Sequence, residues 1–526
     1  MEHDAGKVST RQTPPPVSTA VRIRRIGLVA GPVLAVACFL LLPEKYPAGS
    51  GQVVDFTLAG RATLAMVVWM ATWWMTEAVD IEVTALMPLV AFPLLGIAPI
   101  WKTAQPYASD IIYLFMGGFI LGLAIERWGL GRRIAFFTLR LTGTKPGAMM
   151  AGFMGATAFL SMWISNTACA AMMLPIALSV IDLVLRTRTG KTLRESGGIP
   201  QELVAERNFA IGLLLSVAYA ASVGGIATVI GSPPNGIAVR FLSQTYGKEI
   251  TFLEWMMIGL PFTLIFLPVA WFMLSRVLFP AKLGELSGGR ALIEEEYRKL
   301  GPLSLGEKTT LAVFAGAAFL WIFGPFMKDL SIAGVTPLKG LTDSGVAMLA
   351  ALALFLLPAD RERGLKAMNW DTAAKLPWGV LVLFGGGLSL AMAVETNGVS
   401  QFIGESTRGF GVLPPLLLLL AVTTMTVFLS EVTSNTAQVA TMTPVLAAMG
   451  PALGMNPYML VIVCALGASS AYMMPVGTPP NAIVFGTGLI RIPQMIKAGF
   501  WLNILGIVLI TLMGWLYIPL LIGAAP

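Results

Sequence analysis

The feature that most limits the possible folds of this chain is a series of long apolar segments, which recur from residue 26 to the C-terminus. The segments are continuous rather than alternating as in a transmembrane barrel strand, and a run of about 20 apolar residues can cross a bilayer as a helix. Hydrophobic residues make up 56% of the 526 positions and charged residues only 12%. The sequence therefore predicts an all-α polytopic membrane protein.

The positions of the basic residues predict how the chain is oriented in the membrane. With the N-terminus inside, six cytoplasmic segments hold 26 of the 35 Lys and Arg residues. These segments are the N-terminal tail with the arginines that follow it up to Arg25, 127–145, 186–207, 281–308, 359–375 and 491–497. This is the positive-inside pattern, so the net charge of +7 does not indicate a nucleic-acid partner. We expect a multi-pass protein of the cytoplasmic membrane with a cytoplasmic N-terminus.

A charged segment near the midpoint divides the chain into two halves. We expect a disordered cytoplasmic tail over 1–21, a first half over 22–280, a cytoplasmic linker over 281–308 and a second half over 309–526. The first apolar run, 26–42, follows basic residues and has no A-x-A cleavage pattern after it. We interpret it as a retained transmembrane helix rather than a signal peptide.

A short polar sequence occurs once in each half, inside an apolar region. The first copy, at 165–167, opens SNTACAAMMLP, and the second, at 434–436, opens SNTAQVATMTP. Three consecutive hydrogen-bonding residues in hydrocarbon are costly unless they face a partner, a cavity or a ligand. Such residues also pack membrane helices together, but two copies in matched frames favour a binding role. We interpret the two triplets as the halves of one solute site.

The two halves match beyond the triplets. Residues 115–129 and 384–398 both fit F-x-G-G-x-x-L-x-x-A-x-E-x-x-G, with the same register shift as the triplets. Further along, GSPPN at 231–235 pairs with GTPPN at 477–481. An odd number of spans separates corresponding elements, which inverts the second copy in the membrane. The sequence therefore predicts two inverted repeats, as in many secondary transporters.

Each repeat is predicted to contain a two-armed apolar segment, which forms an even number of spans or a re-entrant hairpin, and a broken helix. The two-armed segments surround the triplets at 147–185 and 412–448, and the G-x-P-P-N segments interrupt helices at 208–240 and 457–490. Paired prolines end a helix, and the interruption leaves backbone carbonyl and N–H groups free. The N–H ends favour an anion, whereas carbonyls with Ser, Thr and Asn oxygens suit a hard cation such as Na⁺.

The residue content argues against several kinds of site. The only histidine is His3, so neither His-based catalysis nor a His proton relay fits. The three cysteines, Cys38, Cys169 and Cys464, lie in apolar stretches without metal-ligand spacing. The spans contain no nucleophile–base pair. We therefore predict that the chain is not an enzyme and has no organic cofactor.

Glu431 is an acidic residue three positions before Ser434. It could take part in a proton-linked mechanism, as in a cation/proton antiporter. It could also be a hairpin-end carboxylate bonded to the backbone or to a helix N-terminus, and we favour this second role. No basic residue is predicted in the site, so an anionic solute would be held by dipoles, amides, hydroxyls and co-bound cations.

The paired triplets, the paired G-[ST]-P-P-N segments and the stretch WWMTEAVDIEVTALMP at 73–88 resemble the divalent anion/sodium symporter family of di- and tricarboxylate carriers. The resemblance extends from about residue 22 to the end. The apolar segments predict about 11 transmembrane helices. The resemblance implies two re-entrant hairpins, at 147–185 and 412–448, a scaffold domain and a transport domain that moves like an elevator. It also implies a homodimer.

The same resemblance implies the site residues. The predicted solute-binding residues are Ser165, Asn166, Thr167, Ser232, Pro233, Ser434, Asn435, Thr436, Thr478 and Pro479. The predicted ligands of a first Na⁺ site are Ser161, Ser165, Asn166 and Gly231. The predicted ligands of a second Na⁺ site are Ser430, Thr433, Asn435 and Gly477.

These features predict a secondary transporter that moves C4-dicarboxylates such as succinate, malate and fumarate, with Na⁺ as the co-transported ion. Some members of the family exchange dicarboxylates without Na⁺, and citrate and sulfate carriers share the fold. These alternatives stay open, and a cation/proton antiporter is a more distant one. The motifs do not define the Na⁺ stoichiometry.

Overall fold

A computed structural model describes residues 19–48, 52–285, 288–331, 335–408 and 414–522. Within these ranges the chain is mostly helical, with two short antiparallel β-ladders. The predicted disordered tail lies outside the described residues, except for its last positions, which begin the first helix at Thr19.

The first half consists of eleven helices within the described ranges. They are α1 Thr19–Leu41, α2 Leu58–Thr76, α3 Ile81–Leu94, α4 Ile100–Ala104, α5 Asp110–Arg127, α6 Leu130–Leu141, α7 Pro146–Ser161, α8 Asn166–Thr189, α9 Val204–Ile226, α10 Pro233–Tyr246 and α11 Phe252–Phe272. A 3₁₀ turn, Gln105–Ala108, joins α4 to α5, and α11 continues as a π-helical segment, Met273–Leu278.

The predicted linker contains one helix, α12 Gly289–Lys299, and the second half follows it. Its helices are α13 Leu305–Met327, α14 Asp343–Leu356, α15 Trp370–Ala373, α16 Trp378–Thr396, α17 Val399–Thr407, α18 Pro415–Ser430, α19 Asn435–Ala452, α20 Pro457–Ala468, α21 Pro479–Phe485, α22 Ile492–Leu512 and α23 Ile518–Ile522. A π-helical segment, Met513–Tyr517, joins α22 to α23.

Two β-ladders, which the sequence pattern does not predict, lie between helices. β1 Lys45–Pro47 pairs with β2 Val53–Asp55, and β3 Pro358–Asp360 pairs with β4 Leu365–Lys366. Each strand has at most three residues, which is too short for the alternation of apolar and polar residues to be recognised. They do not change the fold class.

Eight helices of the described chain are long and apolar enough to cross a membrane. These are Val21–Leu41, Ile100–Arg127, Asn166–Thr189, Val204–Ile226, Phe252–Leu278, Leu305–Met327, Trp378–Thr396 and Ile492–Ile522. Four shorter apolar helices accompany them, namely α3, α14, α18 and α20. The predicted all-α polytopic fold is confirmed, whereas the number of about 11 spans stays a prediction.

Some boundaries differ from the expected ones. The apolar content of 82–100 predicts one full span, but the structure has the shorter helix α3, which ends at Leu94 and is followed by a turn with Gly96 at φ +66°. The apolar content of 498–522 predicts the last span there, but its helix begins earlier, at Ile492, with Pro493 in the first helical turn. The charged segment after Arg127 forms the amphipathic helix α6 because its apolar residues recur on one face.

The order of elements in the first half recurs in the second. The series α5 to α11 corresponds to the series α16 to α22, and the last helix of each ends in a π-helical segment. The halves also pack reciprocally, with α10 against α19 and α20, and α21 against α8 and α9. Reciprocal packing of this kind is expected for two copies related by a two-fold axis.

The two broken helices form the centre of the molecule. All residues from 209 to 232 and from 459 to 472 are buried. Small residues allow this close packing, because a Cβ at Gly224 would collide with the backbone of Ala158 in α7. The hairpins therefore pack directly against the broken helices.

A buried ion pair joins α6 to the start of α13. Arg133 Nε lies 2.5 Å from Glu307 Oε1, and both side chains are about nine-tenths buried. Arg133 also donates to the carbonyl oxygens of Leu300 and Gly301. Glu307 completes a capping box with Ser304 at the N-terminus of α13. The contacts hold the linker against the first half.

Arg133→Ala is expected to destabilise the protein by about 3–5 kcal/mol, because it leaves the Glu307 carboxylate buried without its cation. Arg132→Ala is the matched control: its guanidinium is half exposed and 3.5 Å from Glu296, so we expect a loss below about 1 kcal/mol. Thermal unfolding of the purified variants compares the two. Equal losses would contradict the importance of the buried pair.

Candidate functional site

The tip of the first hairpin lies between α7 and α8. α7 ends at Ser161, and Ser165 is the N-cap of α8, where its hydroxyl accepts the N–H of Ala168 at 3.2 Å. A serine N-cap satisfies one of the free N–H groups of the first turn and leaves others available. The first polar triplet therefore lies at the positive end of a 24-residue helix.

Oxygen atoms from three other residues surround the side-chain amide of Asn166. One terminal atom of this amide lies 2.7 Å from Ser161 Oγ, 3.0 Å from Ala221 O and 3.2 Å from Gly231 O. Ser161 Oγ also donates to Ala221 O at 2.6 Å. If the amide nitrogen occupies this position, it donates to the three oxygens. If the amide oxygen occupies it, four oxygens face one another, and this arrangement suits a hard cation. We call these four residues the first oxygen cluster.

The first broken helix is braced by Asn235 and Thr228. Asn235 is fully buried, and its Nδ2 donates across the break to the carbonyl oxygens of Gly225 and Thr228, at 2.9 and 2.8 Å. Thr228 Oγ1 donates to Met162 O at 2.5 Å and accepts from Gly231 N at 3.1 Å. The Asn235 amide thus holds the break in shape, and the Gly231 carbonyl remains beside Asn166.

The second hairpin repeats the cluster. Ser430 Oγ lies 2.6 Å from Asn435 Oδ1 and donates to Ala468 O. Ser434 is the N-cap of α19, as Ser165 is of α8. We call Ser430, Asn435 and Ala468 the second oxygen cluster. The same pair of side chains and a carbonyl from the neighbouring broken helix therefore meet in both halves.

The second break is braced in the same way as the first. Asn481 is fully buried, and its Nδ2 donates to the carbonyl oxygens of Ala471 and Met474, at 3.2 and 3.1 Å. The hydroxyl of Thr433 donates to Leu429 O at 2.9 Å, within its own hairpin. A hydroxyl that donates keeps its lone pairs, so the Thr433 hydroxyl can still face a cation, as the Ser161 hydroxyl does in the first oxygen cluster.

The predicted solute-binding residues differ in exposure. Thr167 and Pro479 are exposed, whereas Ser232 and Thr478 are buried N-caps of α10 and α21. The others are partly buried, namely Ser165, Asn166, Pro233, Ser434, Asn435 and Thr436. Val476, in the second break, is 75% exposed. The hydroxyl of Thr167 in the first triplet is therefore accessible, and it lies next to the first oxygen cluster.

Glu431 is 3% exposed, at the end of the second hairpin. Its carboxylate accepts the backbone N–H groups of Tyr472, Met473 and Met474 at 2.7–3.0 Å. It also accepts Nδ2 of Asn503 at 2.7 Å. The preferred interpretation, a hairpin-end carboxylate bonded to the backbone, is confirmed by these contacts.

Other partners of the site could not be found from sequence motifs. The carbonyls of Ala221 and Ala468 contribute backbone atoms, which no side-chain pattern marks. Thr228 and Asn503 lie outside the repeated motifs. The spacing of Thr228 three residues before Gly231 is the only signal that places it near the first break.

Comparison with known proteins gives one family. The family model described as the sodium:sulfate symporter transmembrane region matches residues 33–524. The sodium-dependent dicarboxylate transporter SdcS of Staphylococcus saprophyticus is 38% identical over 499 residues, which cover 95% of this chain and 92% of that protein. The SdcS of Staphylococcus aureus gives the same identity and coverage.

Solved structures support the fold. The YdaH transporter of Alcanivorax borkumensis superposes with a TM-score of 0.56 at 14% identity, covering 94% of this chain and 98% of YdaH. MtrF of Neisseria gonorrhoeae gives a TM-score of 0.56 at 12% identity, covering 96% of each chain. Together with the family match over nearly the whole length, these findings agree with the paired motifs. The chain belongs to the sodium:sulfate symporter family, that is, to the divalent anion/sodium symporters.

Proposed function

We propose that this protein carries C4-dicarboxylates such as succinate, malate and fumarate across the cytoplasmic membrane, with Na⁺ as the co-transported ion. The observation that carries the proposal is the pair of oxygen clusters, each at a hairpin tip beside a helix break. The SdcS relatives, which are named sodium-dependent dicarboxylate transporters, support both the ion and the solute class.

The first oxygen cluster fits Na⁺ by its chemistry. Its ligands are neutral: the Ser161 hydroxyl, the Asn166 amide oxygen and the carbonyls of Ala221 and Gly231. Four neutral oxygens suit a monovalent hard cation better than a divalent one, which usually takes carboxylates. The second ion would be bound in the same way by Ser430, Thr433, Asn435 and Gly477. Ser165 would complete the first site.

The dicarboxylate would lie against the helix N-termini at the triplets. The positive ends of α8 and α19 and the hydroxyls of Thr167 and Thr436 offer donors to carboxylate oxygens. Asn166 and Asn435 would each serve both ligands, with the amide oxygen toward Na⁺ and the nitrogen toward a carboxylate. One side chain shared by two ligands couples their binding.

The binding site would face each side of the membrane in turn if the hairpins and broken helices moved together. We propose that the hairpins and broken helices form an elevator-type transport domain that moves against a scaffold, within a homodimer. Its support is the packing: α9 packs against α7, α8 and α21, whereas α5 packs against α14 and α3 against α16. In an inverted repeat, the two hairpins would enter from opposite sides of the membrane.

Labelling of a Thr167→Cys variant tests the placement of the solute. Thr167 is exposed beside Asn166, so we expect the new thiol to react with a maleimide and succinate to slow the reaction at least several-fold. The protection should require Na⁺. Ser179→Cys, an exposed position further along the same helix, is the control and should react equally with or without succinate. Unprotected labelling of Thr167→Cys in Na⁺ would contradict this placement.

A further inference from the structure

The two hairpins differ at the residue that ties each tip to its helix break. Counted from the triplets, Glu431 in the second hairpin corresponds to Met162 in the first. Met162 is tied through its carbonyl oxygen, which accepts the hydroxyl of Thr228. Glu431 is tied through its side-chain carboxylate, which accepts three backbone N–H groups. Both contacts connect a hairpin tip to the neighbouring helix break, but only the contact of Glu431 brings a carboxylate into the site.

The carboxylate of Glu431 is held in a fixed position by a set of donors that suits its ionised form. All of its hydrogen-bond donors named above are neutral, and an ionised carboxylate is the form that accepts several donors at once. The donors come from residues 472–474 in the break and from Asn503 in α22, so two elements besides its own hairpin hold the carboxylate. The carboxylate is therefore held in one place.

This charge lies beside the second cation site. A Cβ placed on Gly477 would be 3.2 Å from Glu431 Oε2 and 3.2 Å from the Glu431 carbonyl oxygen. Gly477 is a proposed ligand of the second Na⁺, and Ser430 is the residue next to Glu431 in the chain. At the first site, the same positions hold Met162 and Gly231, and neither carries a charge.

We propose that Glu431 makes the second cation site the tighter of the two, so that the second site fills before the first. The inference rests on the Na⁺ coupling proposed above. An anion close to a cation site in a medium of low dielectric strengthens cation binding, by roughly tenfold to a hundredfold after the neutral donors weaken its field. Glu431 acts through its field and is a positioning residue for the ion rather than a direct ligand.

A Na⁺ titration of purified protein tests the inference. Thermal stabilisation is followed as NaCl replaces choline chloride, and the wild type should show a tight and a weaker phase. Glu431→Gln keeps the side-chain size and removes the charge, and it should raise the half-saturating Na⁺ concentration of the tight phase about tenfold or more. Glu206→Gln, which neutralises a buried carboxylate paired with Arg188 elsewhere, should leave it unchanged.

A second pair of variants decides the question even where Glu431→Gln does not fold. Ser430→Ala should remove the tight phase, and Ser161→Ala should remove the weaker one. Loss of the tight phase in Ser161→Ala would overturn the inference, and so would a Na⁺ curve of folded Glu431→Gln that matches the wild type. A wild type that responds equally to Na⁺ and choline would instead overturn the Na⁺ coupling, and the inference with it.

Discussion

Replacing Asn166 or Asn435 with alanine is expected to lower the affinities for Na⁺ and for succinate together, each by about tenfold or more, because a hydrogen bond to a charged group contributes about 1.5–3 kcal/mol. The reason is that one amide would serve both ligands. The Asn166 amide lies within 3.2 Å of three oxygens of its cluster, and Asn435 Oδ1 lies 2.6 Å from Ser430 Oγ.

Equilibrium binding measures both affinities in the same preparation. Succinate binding is titrated at several Na⁺ concentrations, so that the two constants and their coupling are obtained together. Asn208→Ala is the control, since this asparagine near the N-terminal end of α9 donates to Pro280 O, at 3.2 Å, away from both oxygen clusters. Intact succinate affinity in both site variants would contradict the shared role of the amides.

Replacing Gly225 with alanine is expected to reduce Na⁺-driven uptake to below about a tenth while the protein still folds, which corresponds to the loss of one charge-assisted hydrogen bond. A Cβ on Gly225 would overlap the side-chain amide of Asn166, the mobile end of a side chain rather than backbone. The amide would therefore move out of the first oxygen cluster, and the helix would remain in place.

Gly155→Ala provides the matched control for this substitution. Gly155 is also a helical glycine, in α7, but a Cβ there would meet nothing within 4 Å. We expect it to transport at the wild-type rate and to be slightly more stable, since alanine favours a helix over glycine. Normal uptake and Na⁺ affinity in Gly225→Ala would show that the position of the Asn166 amide is not critical.

Much of the architecture could be predicted from the sequence because its signals are local. Each hairpin tip is marked by a Ser-Asn-Thr triplet in an apolar frame, and the structure has helix ends at Ser161 and Ser430 and helix starts at Asn166 and Asn435. Serine is a common N-cap, which explains why the triplet marks where a helix starts. The length of the apolar segments also predicted the long spans, because that length does not depend on how the helices pack.

The parts that could not be predicted depend on distant residues. Glu431 meets its partners at 472–474 and 503, positions that no local pattern connects to it. The G-x-P-P-N motif places Asn235 and Asn481 in the breaks, but it does not show that their side-chain amides donate to backbone carbonyl oxygens there. Carbonyl ligands such as Ala221 O depend on how two helices pack, which side-chain identity does not encode.

Uptake of labelled succinate into proteoliposomes tests the central claim most directly. Vesicles are either empty or preloaded with dicarboxylate, with Na⁺ or K⁺ outside, and citrate and sulfate are run in parallel as alternative solutes. We expect uptake into empty vesicles only when Na⁺ is outside. Uptake only into preloaded vesicles, regardless of Na⁺, would contradict Na⁺ coupling and identify a dicarboxylate exchanger with the same fold.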